Sequence, residues 1–187
     1  DLLNLKANPN RDARGSIIES KLEKGRGSVA TVLVQKGTLR VGDIFVSGSE
    51  WGKVKALIND HGVNLKEAPP SLPVEVLGFD SNPMAGDDFI VVDNENTARK
   101  IAEYRSSKNL QKRNTVIKTN VEEMFENIST GKTRFLPVII KADVQGSAEA
   151  IESSITKLST EEVETKVVFK GVGAITESDV ALANSSK

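Results

Sequence analysis

The first half of the chain alternates short apolar runs with clusters of turn-forming residues. Six runs rich in β-branched residues stand between positions 13 and 92: Ser16–Leu22, Ser28–Gln35, Asp43–Ser47, Lys53–Ile58, Val74–Phe79 and Asp88–Val92. Glycine, proline, asparagine and aspartate fill the intervals, and these residues favour turns between strands. Because no helical segment separates the runs, the pattern predicts a closed antiparallel β-barrel rather than a parallel sheet. We assign this barrel to residues 13–94.

The segment over residues 95–118 predicts a helix that is polar on most sides. Its apolar stripe is short: it consists of Ala98, Ile101 and Ala102 and extends at most to Tyr104. This composition is typical of a solvated connecting helix. Basic residues are in excess: Arg99, Lys100, Arg105, Lys108, Lys112 and Arg113. A charge run usually marks only a solvated face, and no interleaved aromatic residues are available here to stack on bases.

The pattern changes in the last segment, residues 119–187. A capping box of Asn120 and Glu123 predicts a short helix, and FLPVIIKADV predicts a buried strand from Phe135. We expect Ser147 to cap a helix after it. A second strand, VETKVVFKG, precedes a helix that Thr176 and Asp179 cap.

This strand–helix–strand–helix order predicts two parallel strands joined by a right-handed crossover. Two strands are too few to bury both faces of a sheet, so we expect a small, truncated α/β domain. Residues 1–7 are similar to the last turns of a helix that Asn8-Pro9 would end. We therefore expect the chain to be a segment of a longer protein.

Composition removes several classes of function. The 187 residues carry a net charge of −1, so no general basic field attracts nucleic acid, and any contact must be local. The absence of cysteine excludes disulfides and thiolate metal sites and fits a reducing compartment. The single histidine, His61, lies in a predicted turn and cannot by itself anchor a transition-metal site. Apolar runs are too short to cross a membrane, and no secretion signal is recognisable at the N-terminus.

Two stretches are candidates for binding chemistry. Gly171 and Gly173 begin a Gly-x-Gly turn, but a dinucleotide fingerprint needs a third glycine where Thr176 stands. The other stretch is the turn around LEKGRGSVA and the turn after it, where basic side chains can contact phosphates: Lys21, Lys24, Arg26, Lys36 and Arg40. Glu19 and Glu23 lie nearby, so a plain solvated hairpin remains an alternative. The residues assemble no catalytic site.

A family resemblance covers nearly the whole chain. GSIIESKLEKGRGSVATVLVQKGTLRVGDIFVSG, from Gly15 to Gly48, closely resembles the β-barrel second domain of bacterial-type translation initiation factor two. KADVQGS and GVGAITESD resemble the start of that family's third domain, an α/β domain. LKANPNRDARG is similar to the end of the preceding GTP-binding domain, to which the resemblance assigns residues 1–12.

The resemblance implies a ribosome-binding, non-catalytic part of a GTPase that delivers initiator tRNA and promotes joining of the ribosomal subunits. The barrel would contact small-subunit RNA, and the α/β domain would lie between the subunits and relay the GTP state to a C-terminal tRNA-binding domain. GTP and magnesium would be bound by the parent protein's GTPase domain, with no cofactor or metal in this segment and no membrane contact. The location implied is the cytoplasm, or the matrix or stroma of an organelle.

Two alternatives stay open on the sequence. The first is the barrel of an elongation or release GTPase, against which KADVQGSAEA argues because another architecture would follow the barrel there. The second is a nucleotide-binding enzyme domain built on the turn from Gly171 to Thr176.

Overall fold

The computed structural model describes residues 6–111, 134–160 and 163–186. The chain divides into two compact units, Asp1–Ser106 and Ser107–Lys187, and the division falls inside the predicted helix of residues 95–118. Residues 6–12 are neither helix nor strand, so the expected helix end does not reach Lys6 and Ala7. Residues 1–5 and the capping box of Asn120 and Glu123 lie outside the described residues.

The described part of the first unit contains nine strands. They are β1 (Arg14–Glu23), β2 (Gly27–Lys36), β3 (Leu39–Arg40), β4 (Ile44–Ser47), β5 (Glu50–Ile58), β6 (Asn64–Leu65), β7 (Glu67–Ala68), β8 (Pro73–Phe79) and β9 (Asp88–Val92). Six of them pair antiparallel in the order β4-β9-β1-β2-β8-β5, and pairing of β5 with β4 closes the ring. The predicted antiparallel barrel is confirmed. The two-residue strands β3, β6 and β7 are too short to give a periodic signal.

The barrel core is filled by alternate residues of the strands. Val32, Val34, Val74 and Val76 are at most 1% exposed, as expected when every second side chain of a strand points inward. Three phenylalanine rings fill one part of the core, where the centroid of Phe45 lies 4.6 Å from that of Phe79 and 4.6 Å from that of Phe89. At these distances the rings combine apolar burial with favourable edge and face contacts.

Strands β5 and β8 approach each other too closely for side chains at Gly52 and Gly78. A Cβ on Gly78 would overlap the carbonyl oxygen of Lys53, and a Cβ on Gly52 would overlap the carbonyl oxygen of Gly78. Gly78 also has a φ of 125°, which L side chains rarely adopt. The pairing register shifts between Gly52 and Ala56. At this irregularity the two glycines allow the backbones of β5 and β8 to approach each other closely.

Helix α1 covers residues 95–111 in the described chain. Asn94 caps it, because its side-chain oxygen accepts the N–H of Thr97 at 2.8 Å. Ala98 and Ala102, one turn apart, are only 0% and 4% exposed. These first turns therefore differ from the solvated helix that the sequence predicted. Alanine contributes little to an apolar pattern, so the sequence carries only a weak sign of this buried face. Its small side chain nevertheless lets a helix backbone approach another element closely.

The second unit contains β10 (Arg134–Ala142), α2 (Gln145–Thr156), β11 (Val163–Val172) and α3 (Glu177–Ser185). Strands β10 and β11 pair in parallel, which confirms the predicted strand–helix–strand–helix order. The predicted cap at Ser147 is wrong: α2 already begins at Gln145, and its N-cap is Val144, which makes no side-chain capping bond. The predicted capping box of Thr176 and Asp179 is present at the start of α3.

The close crossing of β5 and β8 generates a stability prediction. Gly78→Ala should lower the free energy of unfolding by about 3 kcal/mol, because it adds overlap with a backbone carbonyl to an unfavourable φ. Gly62→Ala is the matched control: Gly62 has a φ of 77° but nothing within 4 Å of its Cβ position. The control should lose only about 1 kcal/mol. Urea unfolding followed by fluorescence of the single tryptophan measures both, and equal losses would contradict the overlap.

Candidate nucleic-acid interface

The hairpin that joins β1 to β2 carries two of the predicted phosphate-binding residues, Lys24 and Arg26. Both side chains are exposed at the tip of the turn. The backbone N–H of Arg26 donates to the carbonyl oxygen of Glu23 at 3.2 Å, which closes the turn. Lys24 forms no ion pair with the residues that the structure describes. Its ammonium group is therefore available to a phosphate in solution.

Carboxylates partly neutralise the positive charges of Lys21 and Arg26 in the same hairpin. The Lys21 ammonium lies 2.9 Å from Glu23 and 2.7 Å from Glu75, and the Arg26 guanidinium lies 3.2 Å from Glu23. Hydrogen bonds to Glu75 and Glu23 raise the pKa of Lys21 above its ordinary value. The bond from Lys21 lowers the pKa of Glu23. Glu23 thus stays ionised and competes with any anion that approaches Arg26.

The remaining two predicted residues lie elsewhere on the barrel. Lys36 ends β2, while the hairpin tip precedes the start of that strand at Gly27. Ten residues of strand separate the two ends by roughly 30 Å. Arg40 follows in β3 and pairs with Glu67, with its Nε 3.4 Å from the carboxylate. The structure therefore brings Lys21, Lys24 and Arg26 together and leaves Lys36 and Arg40 at a distance.

A groove of about 400 Å³ opens beside the hairpin tip. Its walls come from the β1–β2 hairpin, the middle of β5, and the end of β8 with the segment that follows it. They are lined by Leu22, Arg26, Gly27, Ser28, Lys55, Gly78, Phe79, Asp80, Ser81 and Asn82. Arg26 and Lys55 supply positive charge, and the Ser28 hydroxyl donates to the side chain of Asn82. We call this the hairpin groove.

Lys55 is not among the candidates predicted from the sequence, although a signal for it was present. In the stretch Lys53-Val54-Lys55 of β5, Val54 is 1% exposed, so the period of two places both lysines on the solvent face. Lys55 forms no ion pair with any described residue, unlike Arg26. Its position beside the hairpin depends on the antiparallel ring order, which no local pattern reveals.

The hairpin groove has the chemistry of a backbone contact to nucleic acid. Arg26 and Lys55 can donate to phosphate oxygens, and the Ser28–Asn82 pair can bond to a sugar hydroxyl or a base edge. Leu22 adds an exposed apolar wall. The carboxylate of Asp80 also lines the groove and repels anions, so we expect a phosphate to bind at Arg26 and Lys55 rather than at Asp80.

The Gly-x-Gly turn after β11 does not fit a nucleotide phosphate. The N–H of Gly173 donates to the carbonyl oxygen of Ala142 at 2.8 Å and is not free. A Cβ on Gly171 would lie 3.0 Å from the Phe169 ring, so a side chain there would require the ring to shift. Gly173 has a φ of 99°, a conformation that favours glycine.

The N-terminus of α3 already holds an anion, the carboxylate of Asp179. That carboxylate accepts the backbone N–H of Thr176 at 2.8 Å and its hydroxyl at 2.9 Å, and Lys141 lies 3.2 Å away. These hydrogen bonds, led by the backbone N–H of Thr176, hold the pKa of Asp179 below its ordinary value. A nucleotide phosphate would meet a fixed negative charge at the place where it would need free N–H donors.

Neither a metal-binding cluster nor a membrane-spanning helix is found within residues 6–111, 134–160 and 163–186. No three His, Cys, Asp or Glu side chains there converge as a metal site would need. His61 is exposed, and its Nδ1 lies 2.6 Å from the Asp60 carboxylate. In the same ranges no helix combines the length and apolar character required to cross a bilayer.

Two family models match successive parts of the chain, and they divide it before helix α1 rather than between Ser106 and Ser107. The family model of elongation factor G domain 2 matches residues 12–92, and the model of translation-initiation factor 2 matches residues 95–187. The two matches together cover both units and meet just before helix α1.

Curated relatives match over the whole chain and carry one name, translation initiation factor IF-2. The protein of Rhodospirillum rubrum is 56% identical over 187 residues, which are 100% of this chain and 22% of the relative. The protein of Caldicellulosiruptor saccharolyticus is 56% identical over 186 residues, again 22% of its length. The chain thus spans about a fifth of these relatives. A crystal structure described as GDP-bound aIF5B from Aeropyrum pernix matches with a TM-score of 0.44 and 20% identity over 95% of this chain and 29% of that one, a likeness too weak to decide anything.

The Asp179 network predicts a pH effect whose sign follows from the lowered pKa. The ionised carboxylate stabilises the start of α3 at pH values above its unfolded pKa of about 3.9. This stabilisation is lost as the pH falls through the lower pKa of the folded chain. Thr176→Val removes the hydroxyl donor and should raise the pKa of Asp179 toward its ordinary value. A carboxyl-carbon NMR titration measures the midpoint, and an unchanged midpoint would show that the hydroxyl plays no part.

Proposed function

Since the chain belongs to the translation initiation factor IF-2 family, we propose that its barrel unit binds the RNA of the small ribosomal subunit through the hairpin groove. The observation that carries this proposal is the position of Lys55 and Arg26 on one groove, beside the exposed Lys24. Phosphate contacts from such residues are independent of sequence and weaken with salt. Of the five phosphate-binding residues predicted from the sequence, the proposal keeps Lys24 and Arg26 in the groove site, and it adds Lys55. Lys21 has a supporting role, and Lys36 and Arg40 remain separate candidates for RNA contact.

We propose that the α/β unit serves the intact factor as a relay. In that factor the GTPase domain would bind GTP and magnesium, a C-terminal domain would hold initiator tRNA, and the α/β unit would lie between the ribosomal subunits. Two observations support the relay proposal: the family of the chain, and the geometry of the Gly171–Thr176 turn, which does not fit a nucleotide phosphate. The factor would act in the cytoplasm, or in the matrix or stroma of an organelle.

This segment would then not hydrolyse GTP by itself. The competing function is a nucleotide-binding enzyme domain built on the Gly171–Thr176 turn. Calorimetry of the chain with GTP, ATP and NAD distinguishes the two proposals. We expect no heat of binding from any of the three, because Asp179 occupies the helix N-terminus. Binding that Gly173→Ala abolishes would favour the enzyme.

Charge reversal in the hairpin groove tests RNA contact. Lys55→Glu, and separately the double change Lys24→Glu with Arg26→Glu, should weaken binding to small ribosomal subunits by roughly tenfold or more, because attraction to phosphate becomes repulsion. Lys157→Glu makes the same change of charge on an exposed residue at the end of α2 and is the control. Co-sedimentation with subunits at several salt concentrations measures the affinities. Equal affinity of Lys55→Glu and the control would remove Lys55 from the site.

Removal of the competing carboxylate should act in the opposite direction. Glu23→Gln keeps the size of the side chain and frees Lys21 and Arg26 from their shared partner. We expect binding to small subunits to become about threefold tighter, with a steeper dependence on salt because more cationic charge meets the RNA. The same sedimentation assay measures the change. An affinity that falls would mean that the Glu23 pairs position the hairpin for binding.

A further inference from the structure

The first turns of helix α1 are attached to one turn of the barrel, residues 48–51, which we call the clamp turn. Arg105 donates from its guanidinium to the carbonyl oxygen of Gly48 at 2.9 Å. The guanidinium of Arg99 lies over the Trp51 ring, 5.3 Å from its centroid, as in a cation–π pair. With Ala98 and Ala102 buried, the two arginines fix the helix at two points about 1.7 turns apart.

These contacts give two of the basic residues in helix α1 a structural role. Sequence alone suggests a solvated face or a weak nucleic-acid contact for all six basic residues. Arg99 and Arg105 are instead engaged with Trp51 and Gly48. Arg105 also lies close enough to Asp87 for its charge to oppose the rise that burial causes in the pKa of that carboxyl. Their positive charge therefore serves attachment within the barrel unit.

The clamp turn also contacts the hairpin groove. The hydroxyl of Ser81, which lines the groove, donates to the carboxylate of Glu50 in the clamp turn. Directly after the turn, Gly52 pairs with Phe79, another groove residue, in the tight crossing of β5 and β8. One side-chain bond and one close backbone contact thus join the groove to the clamp turn.

We propose that the clamp turn couples the hairpin groove to helix α1, so that RNA bound in the groove strengthens attachment of the helix to the barrel. The proposal rests on the function proposed for the groove. It adds a way in which RNA binding in the groove changes how firmly helix α1, the segment after the barrel, is attached. By linkage the coupling is reciprocal: attachment of the helix must tighten RNA binding by the same factor. The contacts on either side of residues 48–51 supply the physical connection.

The unbound chain provides the first test. Ser81→Ala removes the hydroxyl that bonds Glu50, and Ser16→Ala removes a comparable side-chain hydrogen bond, to Gln35, elsewhere on the barrel. Hydrogen exchange measured by mass spectrometry reports the opening of residues 98–105. We expect Ser81→Ala to speed their exchange about threefold and Ser16→Ala to leave it unchanged. Identical exchange in the two variants would break the proposed link without any reference to RNA.

The bound chain provides the reciprocal test with small ribosomal subunits as the probe. Subunit binding should slow exchange of residues 98–105 about fivefold in the parent sequence and much less in Ser81→Ala. Arg105→Met should weaken subunit binding by a similar factor, whereas Lys100→Met removes one positive charge from the same helix without touching the clamp turn and should change it less than twofold. Equal weakening by both would show that only the lost charge matters and would overturn the coupling.

These outcomes separate the two proposals. If the parent sequence does not bind subunits, or if Lys55→Glu binds as tightly as the parent sequence, the proposed function of the groove fails. If binding depends on Lys55 but leaves exchange of residues 98–105 unaltered, the groove stands and the coupling fails.

Discussion

The contact between β5 and β8 at Gly52 and Gly78 is the constraint on which the rest of the barrel unit depends. A side chain at either position would overlap a backbone carbonyl, so the strands can cross closely only with glycine at both. This close contact leaves Gly52 paired with both neighbours, Phe79 of β8 and Phe45 of β4, and the pairing with β4 closes the ring. It also places Phe79 against Phe45 in the core and brings Lys55 to the hairpin groove. Fold and candidate site thus share one backbone contact.

Local patterns predicted the elements well and their neighbours poorly. The alternation of apolar residues revealed the six strands of the ring, and the capping residues Thr176 and Asp179 marked the start of α3. The predicted strand Ser28–Gln35 already separates Lys36 from Lys24, so the sequence was enough to assign the two lysines to opposite ends of β2. Lys55 was missed because its importance comes from strands that are distant in the sequence and adjacent in the ring.

Charged residues have structural roles that composition conceals. Arg99 and Arg105 belong to a run that suggests solvent or nucleic acid, yet both are used within the barrel unit. Lys141 and Asp179 pair at the end of the second unit's strands, where sequence alone offered a phosphate cradle. In each case a charged group of the kind that attracts ligands already has a partner within the chain. The exposed Lys24 and Lys55 are different, because neither is paired with a carboxylate among the described residues.

Site-specific crosslinking tests RNA contact at the hairpin groove. A photoreactive amino acid replaces either Lys55, in the groove, or Lys36, at the opposite end of β2, and each chain is irradiated on small ribosomal subunits. We expect crosslinks to ribosomal RNA from position 55 and far fewer from position 36. Crosslinks from position 36 with none from position 55 would contradict RNA contact at the groove and would place the RNA-binding face at the other end of the barrel.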